Sequence, residues 1–197
     1  MPLLVRDQRS DEWHQARLRK ITASTAAAVL GLDPYESPIG AWKAITGRKT
    51  FAGNRHTQWG VQYEDEARRA YEVATGELVL ETGFWGHPQQ LWLGASPDGL
   101  CGLSGGCEIK CPSKIPTSIP KHHEIQMRIC MAVCDRQWWD YFAWSQEGEF
   151  CSRIERDMKI EIPLLVQLAA WWDCYIATDI SPPRRKKVKE VALETED

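Results

Sequence analysis

Two hydrophobic periods alternate along the chain, a helical one near 3.6 residues and a strand-like one of two, and each switch marks an element. Ser10-Asp11-Glu12 stands as a cap before a helix over 13–18. Thr22-Ala23-Ser24 leads into an alanine-rich helix over 25–30 that Gly31 stops. Ser37-Pro38 opens another, with Trp42 and Ile45 on one face and Gly47 at its end. Residues 48–58 read as a basic loop. Tyr63, Ala67, Ala70, Tyr71 and Ala74 then form one helical stripe, ended by Gly76. Strands are predicted over 78–82, 91–95 and 107–110, the last after a Gly105-Gly106 turn. Helical spacing returns over 124–133, with Ile125, Ile129, Ala132 and Val133 inward. Residues 138–144 and 154–162 alternate as strands, and Pro163 starts a long apolar helix through Tyr175. This order predicts a small α/β or α+β core with a mixed sheet.

Length and composition fit one domain, expected over 1–180, with 181–197 as a mobile charged tail that turns from basic to acidic. Of the 197 residues, 43% are hydrophobic and 26% charged, the balance of a soluble globular protein. No run approaches the roughly 18 consecutive apolar residues of a membrane span, and the first residues lack a secretory leader, so a cytoplasmic protein of a bacterial or phage-infected host cell is expected. The net charge of −3 does not point to nucleic acid, but local clusters of basic residues decide phosphate binding, not the sum. Seven cysteines without a Cys-x-x-Cys pair read as reduced structural thiols, not as a zinc or iron–sulfur site. Several of the ten tryptophans are expected in the core.

The chemistry concentrates in Ser96-Pro97-Asp98-Gly99 and, after a turn, Glu108-Ile109-Lys110. Glu108 and Lys110 are two apart on a strand and share a face. A hairpin brings Asp98 beside Glu108. Two carboxylates at one spot repel each other and favour a hard divalent cation, to which the Ile109 carbonyl adds an oxygen. Lys110 places a charge where it orients an attacking water and offsets charge on a phosphate. The adjacent His122 and His123 read as solvated helix-start residues.

Five segments in order carry a resemblance: Trp13-His14-x-x-Arg17; Ile21-Thr22-Ala23-Ser24; Trp59-Gly60-x-x-Tyr63-Glu64-x-x-Ala67-Arg68; the SPDG and EIKCP stretches at 96–99 and 108–112; and Gln126. Together they resemble the lambda-type phage recombination exonucleases (alkaline exonucleases) of the PD-(D/E)XK nuclease superfamily. The resemblance implies a restriction-endonuclease-like core, a central mixed β-sheet flanked by helices. It implies Asp98, Glu108, Lys110 and Glu64 as catalytic residues, and Asp98, Glu108, the Ile109 carbonyl and Glu64 around Mg²⁺, for which Mn²⁺ can substitute, with two ions in the site. It implies Arg17, Ser24, Ser96 and Gln126 as a pocket for a terminal 5′-phosphate, a donor set suited to that anion. Arg48, Lys49 and Arg55 fall in the loop where the family contacts DNA.

The activity so implied is 5′→3′ digestion of one strand of linear double-stranded DNA to mononucleotides. The product is a 3′ overhang for single-strand-annealing recombination. A homotrimeric ring and an annealing-protein partner belong to the same picture. Two departures weaken part of it: Arg55-His56-Thr57-Gln58 replaces the family's apolar wedge, and the segment after Ser24 is short for an end-anchoring basic loop. A restriction-like endonuclease and a catalytically silent DNA-end-binding protein stay open as alternatives.

Overall fold

Polar caps and helix-ending glycines set the helical elements. The computed structural model describes residues 3–49 and 55–184, the side chains of 55–62 excepted; the tail beyond 184 lies outside the described residues. Ser10 caps α1 (Asp11–Arg17), its hydroxyl accepting the Trp13 N–H at 3.1 Å. Strand β2 (Ile21–Thr22) runs directly into α2 (Ala23–Val29), where Thr22 and Thr25 exchange capping bonds. Ser37 caps α3 (Pro38–Ile45). Helix α4 spans Arg55–Thr75, so residues 55–58 are helical and not part of a loop. Nothing in RHTQ breaks a helix, and the helix that buries Ala67 and Tyr71 extends through it. Gly47 and Gly76 follow α3 and α4 at φ +72° and +75°, a conformation open to glycine.

The strands form two mixed sheets where one was expected; the mixed α/β class holds. The first has the order β1-β4-β5-β2, with β1 (Leu3–Val5), β4 (Phe84–Gly86) and β5 (Leu93–Ala95). The second has the order β3-β6-β7-β8-β9, with β3 (Val79–Leu80), β6 (Gly99–Cys101), β7 (Gly105–Lys110), β8 (Trp138–Ser145) and β9 (Gly148–Glu155). The β6–β7 hairpin is antiparallel, with Gly99 opposite Cys107, whereas β7 and β8 are parallel, with Glu108 beside Tyr141.

Alternation at Ile154, Ile160 and Ile162 misleads about 154–162. Strand β9 ends at Glu155 and α6 (Met158–Trp171) begins before Pro163, because the Asp157 carboxylate accepts the Lys159 N–H at 2.8 Å and caps the turn. A π-helical turn, Trp172–Ala177, continues it. By length and composition alone, Met158–Ala177 is a described helical stretch apolar enough to cross a membrane; Leu164, Leu168 and Ile176 nevertheless pack into the core.

The five-stranded sheet is covered on both faces. On one, Cys107, Ile109 and Phe142 pack against Ala67 and Tyr71 of α4. There Asp140 accepts the Tyr71 hydroxyl at 2.8 Å and a two-bonded Arg153 guanidinium, which fastens α4 to the sheet. On the other, Trp139, Tyr141 and Ala143 join the larger core beneath α5 (Lys121–Cys134) and α2. Glu108 and Lys110 alternate onto this second face.

Candidate active site

Strand β7 presents its acid and base because its first residues are glycines. A Cβ on Gly106 would lie 2.5 Å from the fully buried Trp139 ring, so only glycine lets β7 approach β8 there. The close approach fixes the register that puts Glu108 under α5. The side chain of Glu108 is 0% exposed. Its Oε1 accepts Gln126 Nε2 at 2.6 Å and contacts Lys110 Nζ, whereas its Oε2 is buried without a hydrogen-bond partner among the described residues. Asp98 sits where the chain crosses from the first sheet to the second. Its Oδ2 accepts the Ile109 N–H at 2.8 Å and lies 3.9 Å from Lys110 Nζ.

Like charges and burial set the electrostatics of this trio. Burial, with the neighbouring Asp98, pushes Glu108 up to about 7 against the pull of Lys110 and Gln126. Asp98 is also raised by burial, opposed by Lys110 and the Ile109 amide. Burial would lower Lys110, but Glu108 and Asp98 outweigh it and hold the ammonium above the usual lysine range. Two carboxylates crowded at one place, one with an orphaned buried oxygen, are oxygen donors suited to a hard cation such as Mg²⁺. Ile109 and Asp98 line one cavity with Glu64. Among the described residues no three His, Cys, Asp or Glu side chains converge as a ready-made metal cluster. Glu64, on α4, instead accepts Arg9 Nη2 at 2.7 Å.

The expected phosphate-pocket residues divide. Arg17 reaches Ser96 Oγ (3.1 Å) and Ser24 Oγ (3.4 Å), so three of them converge. Burial lowers the Arg17 guanidinium to about 10, and no carboxylate among the described residues pairs with it. Such a charge calls for an anion. Gln126 points elsewhere, to Glu108. The Arg55 side chain lies outside the described residues. Arg48 pairs with Asp179 and Lys49 with Glu36.

Three participants were not assigned from sequence. Trp13 donates its indole N–H to Ser96 Oγ at 2.9 Å and carries Arg17 on its ring, 4.0 Å from the centroid. Its place four residues before Arg17, on the same helix face, was the available signal. Arg9 had none, being 55 residues from Glu64. His123, read as solvated, is half-buried instead. It stacks on Tyr141 and shares a 3.2 Å hydrogen bond with the Tyr141 hydroxyl, because α5 turns it toward the sheet. The thiols fit their structural reading in part: Cys101, Cys107, Cys130 and Cys134 are buried, and Cys151 and Cys174 are exposed.

Residues 12–137 match the YqaJ-like viral recombinase domain family. An alkaline exonuclease from Laribacter hongkongensis has a solved structure that is 31% identical, with a TM-score of 0.73, over 86% of this chain and 95% of that one. A structure of that exonuclease in complex with dAMP matches at 30% identity and a TM-score of 0.72, with the same coverage. A protein of African swine fever virus is 36% identical over 107 residues, 50% of this chain and 30% of that protein. An uncharacterised protein of Acanthamoeba polyphaga mimivirus is 32% identical over 96 residues, 48% of this chain and 18% of that one. The chain therefore spans less than a third of the length of either viral protein.

Proposed function

The chain belongs to the YqaJ-like viral recombinase domain family, and from that premise we propose that it is a Mg²⁺-dependent 5′→3′ exonuclease. It digests one strand of linear duplex DNA to mononucleotides and leaves a 3′ overhang for strand annealing. The observation that carries this reading is the half-buried Asp98 and fully buried Glu108, bridged by Lys110, with Glu108 Oε2 left without a partner among the described residues. The similarity to an alkaline exonuclease supports DNA-strand hydrolysis, and the dAMP bound by that relative supports a mononucleotide product.

Asp98, Glu108 and the Ile109 carbonyl would hold the metal, with Glu64 completing a two-ion site. Bound Mg²⁺, or Mn²⁺ in its place, supplies Lewis-acid stabilisation of the charge that builds on the phosphate. Lys110, kept cationic by its two carboxylates, donates a hydrogen bond to the attacking water and adds positive charge at the phosphate. Gln126 fixes the rotamer of Glu108. Arg17, Ser24 and Ser96 take the terminal 5′-phosphate, which sets the bond after the first nucleotide at the carboxylate pair. A ring-shaped homotrimer and a single-strand annealing protein as partner complete the proposal.

The test uses linear duplexes with 5′-phosphate or 5′-hydroxyl ends and a closed circle, each with and without Mg²⁺. Rapid digestion of the phosphorylated linear duplex in Mg²⁺, with the circle intact, is expected. Arg17→Ala should erase the preference for the phosphorylated end. Cleavage of the circle would replace this reading with an endonuclease, and binding without digestion would leave an end-binding protein.

A further inference from the structure

Beside Asp98 opens a cavity of about 540 Å³ whose walls include Arg6, Arg9, Glu64, Arg68, Asp98 and Ile109. Arg17, Ser24 and Ser96 do not line it, so it is a space separate from the phosphate pocket, and it includes three of the residues that would hold the metal, Glu64, Asp98 and Ile109. Arg68 is committed within it, to Asp65 at 2.9 Å and to Glu81. Arg9 is not. One of its nitrogens donates to Glu64 Oε2 at 2.7 Å, and among the described residues the remaining donors of its guanidinium have no partner. The Arg9 backbone lies at φ +68°, where glycine is at ease and a residue with a Cβ is not.

We propose that Arg9 clamps the backbone phosphate on the 3′ side of the scissile bond and that this cavity seats the second nucleotide of the strand being cut. The inference rests on the exonuclease reading above. With the terminal phosphate at Arg17 and the reacting phosphate at the metal site, the rest of the strand leaves through a space that opens on Asp98. The cavity is such a space. Its walls also carry Asp7, Asp65 and Glu81, so a phosphate entering it needs a cation with donors to spare. A guanidinium fork with one donor on Glu64 keeps an open edge for a phosphate, and the Glu64 contact holds that edge at the cavity wall.

Arg9→Gly is the informative variant, because glycine accepts φ +68° and the fold is kept; its melting temperature should equal or exceed that of wild type. Binding to a 5′-phosphorylated duplex is measured with Ca²⁺ in place of Mg²⁺, with a gel to confirm that the DNA stays intact. Affinity should fall about tenfold, and the slope of log affinity against log salt should shrink by about one. A neutral methylphosphonate between the second and third nucleotides should weaken wild type to a similar degree and leave Arg9→Gly indifferent. Arg9→Lys should keep the salt slope and recover part of the affinity. Wild-type affinity and slope in Arg9→Gly, or equal sensitivity of both proteins to the methylphosphonate, would overturn the clamp. Failure of the wild-type protein to digest linear duplex in Mg²⁺ would instead overturn the exonuclease reading beneath it.

Discussion

His123 shows how strongly single side chains around the site depend on their surroundings. Burial, with Lys110 and His122 nearby, holds its imidazole down to about 2. An unfolded chain protonates the same ring near 6.5. Below about 6.5 the unfolded state therefore binds more protons, so the stability that the neutral ring contributes is complete above that pH and is lost as pH falls toward about 2. His123→Gln, whose amide can still bond the Tyr141 hydroxyl, should soften the fall in melting temperature between about pH 6.5 and 4. Parallel wild-type and variant curves would contradict it. At this scale the sequence showed what is local. Asp98, Glu108 and Lys110 were legible because one hairpin binds them together. Arg9 was not, since its carboxylate partner is brought to it only by the packing of α4 beside the N-terminal segment.

The element that matters most is β7, whose glycines and carboxylate form one device. Its Gly105-Gly106 pair was read as a turn, but both residues are strand, pressed on Trp138 and Trp139. Gly106→Ala should cost about 1–3 kcal/mol through overpacking against a ring that cannot retreat. A lowered urea midpoint with an unchanged m-value would register it, and an unchanged midpoint would show that β7 and β8 are looser than described. Elsewhere the helices were legible from caps and stripes, whereas β1, β4 and β6 were too short to leave a period. Over 154–162, isoleucine alternation mimicked a strand, and the cap at Asp157 decided the matter for helix. Gln126, grouped by resemblance with the phosphate pocket, is turned by α5 onto Glu108, a difference of helix orientation that spacing alone does not reveal.

Across the whole molecule, the two sheets and the crossing between them place Asp98 at a junction, with a pocket suited to a phosphate on one side and the cavity at Arg9 on another. The mixed α/β class was legible in the order of periods, and the family in five weak segments held in register; the division into two sheets was not, because it depends on how short strands pair. Sedimentation should give three times the chain mass if the proposed ring forms, and a monomer would remove the ring while leaving the site untouched. The metal-dependent nuclease assignment itself meets its sharpest trial in Glu108→Gln, which keeps the shape of the side chain and removes its charge. Release of nucleotides from a 5′-phosphorylated linear duplex is followed as Mg²⁺ is titrated. Wild type should digest only with Mg²⁺, and the folded variant should be slower by at least about 100-fold at every concentration. A variant that digests within a few-fold of wild type would contradict the assignment of the Asp98–Glu108 pair as the catalytic centre.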